Sequence, residues 1–352
     1  MTPSEKSLYI DAKENMKHLI SVYLSITKET AGLSTLLPEH FEDEETRELI
    51  LAGFGSPLHD QTNVSSQHAW SEWDRRKAIP FDVEAAVSFG VYHKLRAKSE
   101  AILNEIERLT NGFSTWDAEQ IRRHPYWLPL LQRIAGVFSK SALKRIVGSV
   151  SDTGISQPGA QRLASFLGER VVSSSVVKSE VLQRLESTLE GIVRDLVGRV
   201  LLEKIVESAL ESKNLPYKKE EEYNSLRGVV YSFRSDFVVP DENNPKVFIE
   251  VRKSSSRHAS LYAKDKMFSA INWKGTNEDM IGVIVVDGPW TAATLRVMAK
   301  VFDYVVPIQR VSDLAEMIEA YIHGDRSKLK WLIEFKITDA SQATTEPDRS
   351  HE

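Results

Sequence analysis

From Ser4 to about Glu211 the apolar residues recur three and four apart, as in Val87, Val91 and Leu95 followed by Ile102, Ile106 and Leu109. Such spacing puts them on one stripe of a helix. Alternating β-branched runs are scarce in this half, so it reads as a helical array. Breaks are expected at Leu37-Pro38, Gly53 to Pro57, Ile79-Pro80 and Gly154 to Gly159, where helix-ending residues gather. Asp82 is placed to cap a helix that ends near Asn111-Gly112. A long helical pattern then covers Val181 to Glu211. Gly191 and Gly198 interrupt it, and the period alone leaves one helix or two equally open.

After Asn214-Leu215-Pro216 the pattern shortens to β-rich runs at Gly228 to Arg234, Ser235 to Pro240 and Lys246 to Arg252. Little more than a turn separates them, so three antiparallel strands are predicted, with Pro240 to Pro245 as a polar hairpin loop. A helix over about Ala259 to Trp273, a strand at Met280 to Asp287, a helix from Ala292, a strand at Tyr304 to Ile308 and a helix at Ser312 to Ile322 follow. The expected fold class is α/β: a helical domain over 1–190, then a domain over 191–339 with a central mixed sheet flanked by helices. The polar stretch 340–352 is expected to be a disordered tail.

Composition narrows the function classes. The chain has 352 residues, 27% charged and 41% hydrophobic, which suits two packed domains. It contains no Cys, which removes disulfides, thiolate nucleophiles and cysteine-bound zinc. The nine His show no HExxH or other paired spacing, so a His-based metal site is not expected. No apolar run approaches the length of a bilayer span, and the first residues lack an apolar targeting segment, so a cytoplasmic protein without a membrane role is expected.

The net charge of −5 argues against a generally basic coat, yet the charge reverses locally. Between Val251 and Gly275, Arg252, Lys253, Arg257, Lys264, Lys266 and Lys274 face a single acid, Asp265. That suits a phosphate backbone, with Ser255 and Ser256 able to add hydroxyl donors. A solvated helix face is the plainer reading of the same run.

Chemistry concentrates in Ser235-Asp236-Phe237 and Phe248-Ile249-Glu250-Val251-Arg252-Lys253. Side chains alternate across a strand, so Glu250 and Arg252 share a face and Ile249, Val251 and Lys253 take the other. Asp236 opens the hairpin partner. Two acids and a cation can thus meet, which is what divalent-metal phosphodiester hydrolysis requires. The alternative reading is a strand-edge acid beside a cross-strand ion pair between Glu250 and Arg252.

Over Val197 to Asp287 these residues resemble the PD-(D/E)xK nuclease superfamily, and within it type II restriction endonucleases. The resemblance implies a restriction-endonuclease-like core and Mg2+-dependent cleavage of double-stranded DNA. Asp236 and Glu250 then take the metal-ligand positions. Glu203, in Gly198-Arg199-Val200-Leu201-Leu202-Glu203, takes an auxiliary acid position, with Glu207 as the other candidate. Lys253, Ser255, Ser256, Arg257, Lys264, Lys266 and Lys274 are implied DNA contacts. The family motif has Lys two residues after the second acid, and Arg252 stands there. Arg holds its proton too tightly to serve as a base but can stabilise a phosphate, and Lys264 or Lys266 could supply the cation instead. A palindromic target would imply a homodimer. A repair or structure-specific nuclease of the same core, or a catalytically silent DNA-binding protein, are the rival expectations.

Overall fold

The computed structural model describes residues 6–61, 63–77, 81–148, 150–151, 154–172, 175–254, 272 and 279–329. The chain divides into two compact units, Met1–Leu201 and Leu202–Glu352. The division falls later than the expected boundary after residue 190. The reason is local: helical turns continue past Gly191, and Leu185, Leu189, Val193 and Leu196 all stay buried on one stripe of the same helix.

The N-terminal unit is helical. Its elements are α1 (Leu8–Glu29), α2 (Glu44–Gly53), α3 (Ser66–Arg76), α4 (Val83–Leu109), α5 (Ala118–Arg123), α6 (Leu128–Ile134), α7 (Lys140–Val147), α8 (Gln157–Arg170) and α9 (Lys178–Leu196), with a small hairpin of β1 (Val150–Ser151) and β2 (Gly154–Ile155) before α8. Asp82 caps α4 by accepting from the Ala85 amide at 3.0 Å. Val87, Val91, Leu95, Ile102 and Ile106 are fully buried, and α4 packs against α1, α2 and α9. Val197–Leu201 forms a π-helical stretch after α9.

The C-terminal unit begins with α10 (Leu202–Ser212) and continues through β3 (Lys218–Lys219), β4 (Phe237–Val239), β5 (Val247–Lys253), β6 (Ile281–Asp287), α11 (Ala292–Met298), β7 (Tyr304–Pro307) and α12 (Val311–Ile322). The five strands form one mixed sheet in the order β3-β4-β5-β6-β7. The pairs β3–β4 and β4–β5 are antiparallel, whereas β5–β6 and β6–β7 are parallel.

Strand alternation sorts the sheet into two cores. Val247, Ile249 and Val251 pack with Leu202, Val206 and Leu210 of α10 and with Leu314 and Ile318 of α12. Phe248 points the other way, toward Val238, Ile284, Val286, Phe302 and Met298 of α11. β5 and β6 are apolar on both sides because both faces are covered.

The expected strand at Gly228 to Arg234 is a correction. These residues form a loop closed by an isolated bridge between Leu226 and Phe233, and the first strand is Lys218–Lys219 instead, paired to Val238 and Phe237. Val229, Val230 and Tyr231 have strand-like side chains, but they lie exposed with no sheet face to fill. Tertiary pairing overrode propensity here. The expected helix over Ala259 to Trp273 and the tail 340–352 lie outside the described residues, apart from Asn272, which is helical.

Candidate active site

The antiparallel register pairs Phe237 with Ile249, so Asp236, one residue earlier, faces the level of Glu250. Asp236 lies just before β4, and its local geometry is held by a buried neighbour. The Ser235 amide donates to the Tyr223 hydroxyl at 2.6 Å, that hydroxyl donates to the Ser235 carbonyl at 2.8 Å, and Ser235 Oγ donates to the Phe237 carbonyl at 2.8 Å. Ahead of the first residue of β4 the Asp236 carboxylate continues the pairing, accepting from the Val251 amide at 2.6 Å.

Arg252 joins the two acids. One guanidinium nitrogen donates to Asp236 Oδ2 at 2.7 Å and to the Val251 carbonyl at 2.6 Å, and the other donates to Glu250 Oε2 at 2.5 Å. Glu250 is 2% exposed, while the Arg252 side chain keeps 25% of its surface in solvent. The cation therefore sits between a buried carboxylate and the outside. Both acids and the Arg come together as the strand period requires. In this state the plainer sequence reading, an ion pair of Glu250 and Arg252, also describes the geometry.

A third acid answers to this cluster electrostatically. Burial pushes the Glu203 carboxyl up to about 7, and the negative charges of Asp236 and Glu221 add to the effect against the opposing charges of Arg252 and Lys219. Glu207, one turn along α10, belongs elsewhere. It bonds Lys219 at 2.5 Å, Lys204 at 2.8 Å and the Tyr217 hydroxyl at 3.1 Å. Burial alone would raise its carboxyl, but the two lysines hold it below the usual carboxylate range. Sequence spacing left Glu203 and Glu207 as alternatives, and only Glu203 carries the electrostatic imprint of Asp236.

Lys253 ends β5 on the opposite face from Arg252, in register with Asp287. Ser255, Ser256, Arg257, Lys264, Lys266 and Lys274 lie outside the described residues, so the basic stretch is represented here by Arg252 and Lys253 alone. Sequence reasoning missed Tyr223 and Ser235, which fix Asp236; a Tyr twelve residues before a Ser carries no local signal. Trp73 is buried edge-on against Phe54, Arg75 and Arg76 pair with Glu72, and Tyr126 and Trp127 both donate to Glu105.

The described residues contain no group of three or more His, Asp or Glu arranged to hold a metal ion, and no described helix is long and apolar enough to cross a membrane. The donor chemistry still fits a hard cation, since Asp236, Glu250 and the Val251 carbonyl offer only oxygen. Mg2+ is commonly held by one or two carboxylates with water completing its shell. Glu203, raised first by burial and then by the charges of Asp236 and Glu221, is a further oxygen donor beside this pair. No family model matches this chain, and neither does any curated protein or solved structure.

Proposed function

We propose that the C-terminal unit is a Mg2+-dependent endonuclease cleaving double-stranded DNA, with a restriction-endonuclease-like core of the PD-(D/E)xK type. One observation carries this reading: two carboxylates, Asp236 just before β4 and Glu250 in the antiparallel β5, converge on the same cationic group. The order of elements supports it as well, with α10 before the antiparallel strands β3–β5 and the parallel strand β6 after them. Asp236 and Glu250 would hold the ion, with Glu203 assisting from α10. Bound there, Mg2+ would supply Lewis-acid polarisation of the scissile phosphate and an activated water.

Arg252 has the role that follows from its two bonds. It pairs with both Asp236 and Glu250 and offsets one of their two charges. Its guanidinium, a quarter exposed, would be the group to stabilise charge that grows on a phosphate beside the two acids. It cannot take a proton, so it acts as an electrostatic group alone. A palindromic site would call for a two-fold dimer, with the helical unit supplying recognition or dimer contacts.

Arg252 also supports a second reading, a DNA-binding protein that does not cut, because a guanidinium already satisfies the pair of acids. Incubating the purified chain with supercoiled plasmid and Mg2+ separates the readings. Discrete linear fragments are expected. Nicking confined to junctions, flaps or lesions would assign the fold to repair, and intact plasmid would leave the silent binder.

A further inference from the structure

The loop that precedes Asp236 is built more tightly than a connector needs to be. Its base is closed by two backbone bonds, Leu226 amide to Phe233 carbonyl at 2.7 Å and Phe233 amide to Leu226 carbonyl at 3.0 Å. Leu226 is buried, and Phe233 packs edge-on against Phe248 of β5. Asn272, itself 1% exposed, then fixes the tip. Its carbonyl accepts from the Val229 amide at 2.7 Å, its Oδ1 accepts from the Val230 and Tyr231 amides at 2.7 and 3.0 Å, and its Nδ2 donates to the Tyr231 carbonyl at 2.7 Å. Gly228 makes the approach possible, because a Cβ there would lie 2.0 Å from Asn272 Nδ2 and 2.5 Å from the Tyr231 carbonyl.

The rigid tip presents apolar groups to water. Val229 is 41% exposed, Val230 78% and Tyr231 47%. Such side chains on a pinned backbone are poor solvent-facing choices and good contact groups. The charge around them indicates what they contact. From Tyr223 to Ser235 the chain carries Arg227 and Arg234 and no acid, although Glu220, Glu221 and Glu222 come just before. Two residues after Arg234 the chain reaches Asp236. Arg234 lies 3.9 Å from Glu220 in an exposed pair that a phosphate can displace. An apolar, aromatic tip between two arginines, rooted next to the candidate metal acids, matches the chemistry of a nucleic-acid backbone and its bases.

Resting on the nuclease reading above, we infer that residues 226–234 form a duplex-DNA wedge: Arg227 and Arg234 contact phosphates while Val230 and Tyr231 press against bases in the minor groove beside the cleaved strand. The pinned backbone means little ordering remains to be done on binding.

The test uses the full chain, a fluorescent duplex of mixed sequence and Ca2+ in place of Mg2+, with anisotropy as the readout and sedimentation as a parallel measurement. Tyr231→Ala and Val230→Ser should each weaken binding about tenfold, the scale of one lost base contact, and Tyr231→Phe should retain it. Arg227→Gln and Arg234→Gln should each flatten the slope of log affinity against log salt by about 0.9. These side chains are exposed, so the melting temperature should stay with the parent and exclude misfolding as the cause. If the parent binds and all variants bind alike, the wedge is wrong and the nuclease reading stands. If the tip variants change the sedimenting mass and leave DNA affinity alone, the loop is a contact between copies of the chain and the wedge is overturned. If the parent binds no duplex, both fall together.

Discussion

The C-terminal unit holds two ionic clusters made from the same kinds of side chain, and they are balanced in opposite ways. Around Glu207 one carboxylate meets two ammonium groups and a phenol, and it is held below the ordinary carboxylate range. Around Arg252 two carboxylates share one guanidinium, and Glu203 is raised to about 7, first by burial and then by the charges of Asp236 and Glu221. The first has cation to spare and ties α10 to β3. Among the described residues, the second has more acid than cation. A cluster built only for stability gains from being neutral and fully paired, whereas an excess of acid beside a partly buried Arg is a place where an added cation has something to neutralise.

The sharpest way to break the contrast is to neutralise each acid in turn without changing its shape. Asp236→Asn or Glu250→Gln should lower plasmid cleavage by roughly 10³-fold or more, since several kcal/mol of transition-state stabilisation goes with a metal ligand. Cleavage within a few-fold of the parent in either variant would end the site assignment. Next in size is Arg252. Arg252→Ala should lose about 10²-fold, the scale of one transition-state donor, and Arg252→Lys should match or exceed the parent, because a single ammonium suits the position that Lys holds in the resembled motif. An inactive Arg252→Lys beside an active parent would mean that the bidentate hold on Asp236 and Glu250 is itself required.

On the balanced side, Glu207→Gln should leave cleavage unchanged and lower unfolding free energy by about 1–2 kcal/mol, because Lys204 and Lys219 lose a charged acceptor in a largely buried place. Urea titration reads this directly. A further effect is in pH. The folded-state value for Glu203, about 7, is above the unfolded value of 4.5, so the folded chain binds the extra proton between them. Stability from this group is complete below 4.5 and is lost as pH rises through about 7. The melting temperature should therefore decline over that window more steeply in the parent than in Glu203→Gln; parallel profiles would dissociate Glu203 from the acid excess.

The contrast also marks how far the sequence could be read. Strand β5 was legible because its apolar run is covered on both faces, and period two put Glu250 beside Arg252. Asp82 as a cap and the buried stripe of α4 followed from spacing in the same way. What could not be read depended on partners distant in sequence. Lys218 and Lys219 have little strand preference and become β3 only because Phe237 and Val238 pair with them. Val229, Val230 and Tyr231 have strong strand preference and form a loop because Asn272 takes up their backbone groups. Glu203 and Glu207 share a helix and a residue type, and only the surrounding charges separate their roles.

Titrating Mn2+ into the full chain by calorimetry tests the metal assignment most directly. Saturable binding is expected in the parent and in Glu207→Gln, and it should disappear in Glu250→Gln. A flat titration of the parent, or binding that survives in Glu250→Gln, would contradict the assignment of Asp236, Glu250 and Arg252 as a metal-dependent centre.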